Sequence, residues 1–232
     1  MKVKLLRHTA DAELLCGTAA LTTIKRGRPS QILEKIDHAT AKEKIRKVTG
    51  YGHSSVIEHA SFTFSIEDVS RAMTHQLVRH RIASFTQQSQ RFVAYGTLER
   101  YVIPKSIADN HEADKFFAET LEKISETYRK LLKLGIPKED ARFILPNAAK
   151  TNIIVTMNAR ELRHFFNVRC CSRAQWEIRE TAIEMFKQAK KVAPSLFEDT
   201  GPTCVGIGYC PEGKMKPPEC NVIEIRDRFR KL

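Results

Sequence analysis

The sequence predicts an α+β fold, a single domain in which several helices accompany a mixed or antiparallel sheet. Short segments with the period-two alternation of half-buried strands are interspersed with longer segments that show the apolar period of amphipathic helices. Residues 1–200 contain neither an internal repeat nor an interdomain linker, whereas residues 201–232 are rich in Gly, Pro and Cys and lack periodicity. We therefore expect one domain over 1–200, followed by a tail over 201–232.

The first 80 residues contain the signals of two strands and two helices. Ser30 is expected to cap the first helix, because its hydroxyl can accept a hydrogen bond from a backbone N–H of the first turn, and Gly50 is expected to end it. Asp68 is expected to cap the second helix, whose inward face places His80 near its last turn. The predicted elements are strands at 2–8 and 62–66 and helices at 31–48 and 69–80.

The remainder of the chain has more helical signals than strand signals. Apolar residues at helical spacing follow one face of 111–134, and two acids suit the first turn of a short helix that Pro137 opens. Asn158 is expected to cap another helix. Residues 84–91 are expected to form a binding loop between regular elements. The other predicted elements are strands near 93–95 and at 152–157 and helices at 158–168 and 173–192.

The charge of the chain favours anionic partners. The formal net charge is +12 and the isoelectric point is near 9.5, which suits nucleic acid, an anionic membrane or polyanionic small molecules. The basic residues are spread over the chain, with no basic tail and no standard DNA-binding motif, and no apolar run approaches the ~20 residues that span a bilayer. We therefore expect a cytoplasmic protein with a pocket for several phosphates, without a nucleic-acid or membrane partner; a generally basic surface is the alternative.

The segment 79–91 carries the strongest functional signal. It contains three arginines, a histidine, hydroxyls and carboxamides, but no acid. Guanidinium groups bind phosphate oxygens in pairs, so the uncompensated charge indicates a bound anion. Stabilisation of a helix C-terminus would explain Arg79 and Arg81 singly, but it leaves Arg91 and the polar residues at 84–90 unexplained.

Two histidines, His53 and His59, precede this segment. Their spacing matches no standard metal motif, and no nearby Cys or His completes a ligand set. Loop histidines with ordinary hydrogen-bond partners are therefore favoured over metal ligands. Binding roles for the His53 imidazole and the Ser55 hydroxyl stay open.

The cysteines allow more than one interpretation. A thiolate at Cys170 or Cys171, close to arginines, would have a lowered pKa, but the sequence places no partner base, so buried, inert thiols are favoured. In the tail, Cys204, Cys210 and Cys220 could complete a tetrahedral zinc site with one of that pair. The usual CxxC spacing is missing, and reduced, unpaired thiols are the alternative.

These motifs together resemble a known family. Residues 79–91 fit the pattern RHRxxSxxxxSxR, and the similarity extends from about His53 to Glu177. The ordered set is similar to flavin-dependent thymidylate synthase, a family unrelated in fold and mechanism to the thymidylate synthase with a cysteine nucleophile. The further matching motifs are those at 52–59, 142–146 and 158–160 and Arg169 with 174–177.

The resemblance implies an enzyme of de novo dTMP biosynthesis. The family methylates dUMP reductively to dTMP, taking the one-carbon unit from 5,10-methylenetetrahydrofolate and the hydride from FADH2, which NADPH regenerates. It uses no cysteine nucleophile. The resemblance also implies a homotetramer with FAD where subunits meet. Nucleotide, flavin and folate are all anionic, which agrees with the charge of +12.

The resemblance further assigns residues to ligands. Arg169 is the expected catalytic residue, because a guanidinium at the uracil edge stabilises the charge that develops on the carbonyls and N3. Arg142 is expected to reach the nucleotide from another chain. The FAD set is Ser55, Arg79, His80, Arg81, Gln87, Asn158, Ala159, Arg160 and His164. The dUMP set is Gln76, Leu77, Val78, Arg79, Gln87, Gln88, Ser89, Gln90, Arg91, Arg142 and Arg169.

Three positions depart from the family pattern. Gln87 stands where some members carry Glu, and His164 stands where Asn can be found. Both changes keep a hydrogen-bonding side chain, although the charge at 87 differs. Leu77 and Val78 occupy positions where aromatic residues can occur, so packing near the flavin is expected to differ there.

Overall fold

The computed structural model describes residues 1–95 and 100–232 and has a four-stranded antiparallel sheet with strand order β1-β2-β4-β3. This confirms the predicted α+β class. The strands are β1 (Lys2–His8), β2 (Ser61–Ser70), β3 (Ala83–Gln87) and β4 (Lys150–Asn158). The helices are α1 (Ala12–Thr22), α2 (Pro29–Lys35), α3 (His38–Gly50), α4 (Arg71–Leu77), α5 (Lys105–Ala108), α6 (His111–Lys133), α7 (Lys138–Ala141), α8 (Ala159–Arg169), α9 (Trp176–Val192), α10 (Thr203–Ile207) and α11 (Val222–Lys231).

The chain divides into two compact units, and each strand contributes residues to both. Residues 1–2, 66–79 and 86–153 form the first unit, and residues 3–65, 80–85 and 154–232 form the second. The expected boundary at residue 200 stays a prediction.

The core of the first unit lies against the amphipathic helix α6. Leu121 and Tyr128 of this helix pack with Tyr101, whose hydroxyl lies 3.2 Å from the Ser125 hydroxyl. The bounds of α6 match the predicted helix at 111–134 almost residue for residue. The predicted strand near 93–95 is wrong: these residues are irregular, although Tyr95 is buried in the same core.

The core of the second unit is a chain of aromatic contacts. Phe166 on α8 meets Phe186 on α9 and Phe197 edge-on, with ring centroids 5.4 and 5.8 Å apart. Phe186 also packs on Phe229 of α11. The tail therefore contains a helix with a buried anchor, although its sequence shows no clear periodicity.

Two predicted helix starts are also wrong, for local reasons. Asp68 lies inside β2 with φ 56°, and Ser70 instead caps α4 by accepting the Met73 N–H at 3.0 Å. The predicted Ser30 cap is wrong because α2 begins at Pro29, which places Ser30 inside the helix. The predicted helix at 31–48 is also interrupted where Ile36 adopts an extended backbone, and the Asp37 side chain caps α3 by accepting the Thr40 N–H at 2.7 Å.

Helix α1 forms where the sequence showed only small residues. A Cβ at Gly17 would lie 2.6 Å from the Cβ of Ala41, so α1 and α3 approach as closely as glycine allows. Among the described residues, no helix combines the length and the apolar character needed to cross a bilayer.

Candidate active site

In the second unit, α8 organises a buried polar network. The Asn158 side chain caps the helix by accepting the Glu161 N–H at 2.8 Å, as predicted. Glu161, one turn further, accepts a hydrogen bond from the imidazole of His80 at 3.1 Å. At the other end of the helix, the Nε of Arg169 donates to the Nε2 of His80, also at 3.1 Å. One imidazole therefore connects both ends of α8.

The two hydrogen bonds fix the tautomer of His80. An arginine can only donate, so the Nε2 atom of His80 must carry a lone pair. The proton then resides on Nδ1 and is donated to the Glu161 carboxylate. His80 is 6% exposed, and its ring lies edge-on against Phe165 with a centroid separation of 4.9 Å. The imidazole is thus held neutral, in one tautomer and one orientation.

Electrostatics agree with this assignment. Burial, followed by the positive charge of Arg169 and the neighbouring His164, lowers the pKa of His80 to about 4. Burial also raises the pKa of the Glu161 carboxyl, against the opposing effect of His164. Burial lowers the pKa of Arg169. The described partner of the Arg169 Nε is a neutral imidazole, so this hydrogen bond orients the cation without neutralising it.

We expect His80 to make stability depend on acid pH. Its pKa in the folded protein, about 4, lies below the unfolded value of 6.5, so the unfolded chain binds more protons between these values. Its contribution is complete above pH 6.5 and is lost as the pH falls towards 4. In urea unfolding, the free energy of unfolding of the wild type should exceed that of His80→Gln by about 2–3 kcal/mol less at pH 4 than at pH 6.5. A constant difference across the window would contradict a neutral, buried His80.

The three side chains His80, Glu161 and His164 could also be considered as metal ligands. Their ligand atoms lie within 4.8 Å of one another. Both ring nitrogens of His80 are already engaged, however, one as a donor to a carboxylate and the other as an acceptor from a guanidinium. The cluster is therefore better described as a hydrogen-bond network with defined proton positions than as a metal site.

Exposed donors lie beside this network in the second unit. Arg160 is exposed at the start of α8 and pairs with Glu58, whose backbone N–H donates to the Ser55 carbonyl. Ser55 and Arg81 are exposed too. Ala159 is fully buried and its N–H donates to the Ala60 carbonyl, so its contribution is to hold its neighbours rather than to offer a side chain.

In the first unit, the side chain of Gln87 has a fixed orientation. Its Nε2 donates to the hydroxyls of Thr74, at 2.8 Å, and Thr151, at 3.3 Å, both of which are buried. The amide hydrogens are therefore directed into the protein, and the Oε1 atom is the part of the group suited to accept from a ligand. Residues 83–87 form β3, so the expected loop begins only at Gln88.

The short loop 88–91 is held by its main chain. The Gln88 N–H donates to the Asn152 carbonyl at 2.8 Å, and the Gln88 carbonyl accepts from a terminal nitrogen of Arg71 at 2.9 Å. The hydroxyl of Ser89 accepts the Arg91 N–H at 3.1 Å. Gln90 is half-buried in the same turn. The loop is consequently shaped before any ligand binds.

Arg91 and Arg142 converge on one acid, Glu139. The Nε of Arg91 lies 2.8 Å from the Glu139 carboxylate, and the Nε of Arg142 donates to the Glu139 carbonyl at 3.1 Å. Both bonds use the Nε atom of the guanidinium. This arrangement brings two cations of the expected dUMP set together within one chain.

The end of α4 supplies the other residues of this set. Gln76 is half-buried, while Val78 and Arg79 are exposed. Leu77 is fully buried, so any contact between this residue and a nucleotide would involve its main chain.

Comparison with known proteins now identifies the family. The family model described as thymidylate synthase complementing protein matches residues 4–195. The flavin-dependent thymidylate synthase of Geobacter sulfurreducens is 47% identical over 233 residues, which covers 100% of this chain and 99% of that protein. That of Pyrococcus abyssi is 44% identical over 239 residues, which covers 100% and 98%.

The chain belongs to the flavin-dependent thymidylate synthase family. Membership confirms the resemblance found in the sequence, together with the expectation of an enzyme that depends on a flavin.

Solved structures agree with this placement. Flavin-dependent thymidylate synthase ThyX from Helicobacter pylori, complexed with FAD and dUMP, matches with a TM-score of 0.69 and 26% identity, over 86% of this chain and 99% of that chain. A UMP/dUMP methylase, PolB from Streptomyces cacaoi, bound with 5-Br dUMP, matches with a TM-score of 0.70 and 25% identity, over 86% and 95%.

The expected ligand residues divide unevenly between the two units. Of the FAD set, only Arg79 and Gln87 lie in the first unit. Of the dUMP set, only Arg169 lies in the second. For this member of the flavin-dependent thymidylate synthase family, the residue assignments themselves stay predictions.

Sequence reasoning missed the residues that orient the expected ligands. Glu161 orients the imidazole of His80. Arg71 binds the Gln88 carbonyl, and Thr74 binds the side chain of Gln87. Glu139 contacts both Arg91 and Arg142. A weak signal existed for Glu161, which lies three residues after the cap Asn158 and three before His164, on one helix face. No comparable spacing connects Arg71 to Gln88 or Glu139 to Arg91.

Proposed function

We propose that the chain converts dUMP to dTMP by reductive methylation, with 5,10-methylenetetrahydrofolate as the one-carbon donor and FADH2, regenerated by NADPH, as the hydride donor. One observation carries the proposal: a partly buried guanidinium, Arg169, held in place by a neutral imidazole. Uracil is a poor methyl acceptor until negative charge builds on its carbonyls and N3. A fixed cation at that edge would stabilise this charge as it develops.

The residues of the second unit fit a flavin dinucleotide chemically. Exposed Arg81 and Arg160 provide guanidinium donors for a pyrophosphate, and Ser55 and His164 provide further hydrogen-bonding groups. When bound, the flavin would supply the hydride for the reduction. The role of the protein is to orient the ligands, and the network of Glu161, His80 and Arg169 provides a rigid part of that surface.

The residues of the first unit fit a nucleoside monophosphate. Arg91 and Arg142 use their Nε atoms on Glu139, and their terminal nitrogens have the geometry that binds phosphate oxygens in pairs. The loop 88–91 and the Oε1 of Gln87 would offer hydrogen bonds to the sugar and base. We propose this region for dUMP, with Arg142 serving the nucleotide of another chain in a homotetramer that holds FAD at its subunit interfaces.

We further propose that no cysteine attacks the substrate. Cys170, next to Arg169, is 3% exposed, and burial raises the pKa of its thiol. A protonated, buried thiol is a poor nucleophile. Mass spectrometry of the enzyme incubated with dUMP and cofactors is expected to show no cysteine–nucleotide adduct. We place the reaction in the cytoplasm, where its nucleotide and folate substrates are used.

The purified protein should be yellow, should bind FAD, and should oxidise NADPH faster when dUMP is added. UMP is a second candidate acceptor, because the PolB neighbour is described as a UMP/dUMP methylase. Parallel assays with dUMP and UMP decide which nucleotide the loop accepts. A colourless protein that binds no added FAD would refute the proposal.

A further inference from the structure

A second cluster of reactive side chains lies outside the residues discussed above. Cys171, in the turn after α8, and Cys204, Cys210 and Cys220, in the tail, line one cavity of about 160 Å³ in the second unit. All four are free thiols. Burial raises the pKa of Cys204, and Cys220, Cys171 and Cys210 add to this rise, so each of these three thiols lies within electrostatic range of Cys204.

The structure distinguishes Cys171 from its neighbour. Cys170 is buried and does not line this cavity. Cys171 faces the cavity, and Arg173 beside it pairs with Glu212 of the tail. The Thr203 hydroxyl also donates to the Asn167 carbonyl at 3.4 Å. Two polar contacts therefore join the tail to the last turn of α8 and to the turn that follows it.

The tail loop has few other means of holding its shape. Between α10 and α11, residues 208–221 are exposed apart from three, Cys210, Pro217 and Cys220, which are half-buried. Its regular structure is a single short turn, Gly213–Met215. Long irregular segments with so little apolar burial usually need a disulfide or a metal ion to stay ordered. Here the half-buried side chains are two cysteines and one proline.

The surrounding charge suits a dianionic centre. Four thiolates around a divalent metal leave a net negative charge, and Arg173 lines the cavity. The guanidinium of Arg226 lies beside Gly208, and its Nε is buried without a hydrogen-bond partner among the described residues. Such an orphaned donor is stabilised by a nearby anion.

We propose that Cys171, Cys204, Cys210 and Cys220 bind a thiophilic metal centre that fastens the tail to the end of α8. Metal binding deprotonates the thiols, and the positive charge of the metal compensates the repulsion between the resulting thiolates. The family model ends at residue 195, so three of the four ligands lie beyond the part it describes. The centre is structural and takes no part in the proposed methylation.

The spacing of the thiols bears on the identity of the metal. Within residues 1–95 and 100–232, no three of these sulfur atoms lie within 4.8 Å of one another. Tetrahedral zinc with Zn–S bonds of about 2.3 Å places its sulfurs about 3.8 Å apart, so zinc would draw the four inwards. An iron–sulfur cluster holds its cysteines further apart and would fit with less movement.

The test is elemental analysis of the full-length protein, purified anaerobically under reducing conditions. We expect either about one zinc per chain, or iron with acid-labile sulfide, and X-ray absorption should show metal–sulfur scattering near 2.3 Å. Zinc and iron–sulfur outcomes both support the site and identify its occupant. Protein that contains neither metal and binds neither on reconstitution would overturn the proposal, as would a Cys204–Cys220 disulfide in metal-free protein.

Substitutions assign the ligands. Cys210→Ser and Cys220→Ser should each lower the metal content at least about fivefold and make the tail sensitive to protease, since a lost ligand opens the site. Cys16→Ala is the matched control, because Cys16 is buried in α1 and should leave the metal content unchanged. Full metal retention in both serine variants would contradict the assignment. The metal content does not depend on flavin binding, so this test is independent of the proposed reaction.

Discussion

Replacing Arg169 with alanine should lower turnover by about 10²–10³-fold while FAD stays bound. The guanidinium is positioned by His80, and its proposed task is to stabilise charge that appears on the uracil ring only during the reaction. An interaction made mainly in the transition state affects kcat more than substrate binding. Single-turnover kinetics with pre-bound dUMP would measure this step without product release.

Arg169→Lys is the informative control for this prediction. Lysine keeps a positive charge but lacks the planar, bidentate fork, so we expect partial activity between the wild type and Arg169→Ala. FAD content, measured by absorbance after gel filtration, should be equal in all three proteins. Loss of FAD from Arg169→Ala, or unchanged turnover, would show that this residue does not act on the nucleotide.

Replacing Glu161 with alanine should impair the reaction without removing any group that touches the substrate. The Nδ1–H of the buried His80 would lose its acceptor, and the imidazole could then adopt the tautomer that opposes the Nε–H of Arg169. A hydrogen bond to a charged group contributes about 1.5–3 kcal/mol, which corresponds to about a 10- to 100-fold loss of turnover. Glu161 is in this account a positioning residue.

Glu161→Gln provides the matched comparison. Its amide oxygen can still accept from Nδ1–H, so turnover should stay within about threefold of the wild type. Imidazole nitrogen chemical shifts should show the Nδ1–H tautomer in the wild type and Glu161→Gln, and a mixture in Glu161→Ala. Equal losses in both variants with an unchanged tautomer would indicate a structural effect on α8 instead.

The parts of the fold that sequence predicts well are those governed by local chemistry. The Asn158 cap and α6 follow from side-chain–backbone hydrogen bonding and from a strong apolar period, and both occur where expected. Asp68 and Ser70 are both good caps, and the choice between them depends on how far β2 extends. That length is set by pairing with β4, which is a tertiary effect.

The structure of the tail was also not predictable from local sequence signals. Its helix α11 has an Asn221 cap and a buried Phe229, but a short helix with one aromatic anchor gives a weak periodic signal. The choice between Cys170 and Cys171 could not be made from sequence either. Adjacent residues at a helix end point in different directions, and only the structure shows which one faces the cavity.

For the candidate site, the sequence motifs identify which residues belong to it, but not how those residues are arranged. The spacing of 79–91 identifies Arg79, His80 and Arg81 as a group, but it does not reveal that His80 is buried while its two neighbours are exposed. That difference arises because Glu161 and Arg169, about 80–90 residues away in sequence, satisfy both ring nitrogens. Long-range partners of this kind leave no periodic pattern in a single sequence.

The central claim is tested most directly by following the transferred carbon. The enzyme with bound FAD is incubated with dUMP, NADPH and 5,10-methylenetetrahydrofolate labelled in the methylene group, and the nucleotides are separated by chromatography. We predict labelled dTMP, with formation that requires FAD, NADPH and the folate together and that is nearly abolished in Arg169→Ala. Oxidation of NADPH without labelled dTMP from enzyme with bound FAD would contradict the proposed reaction.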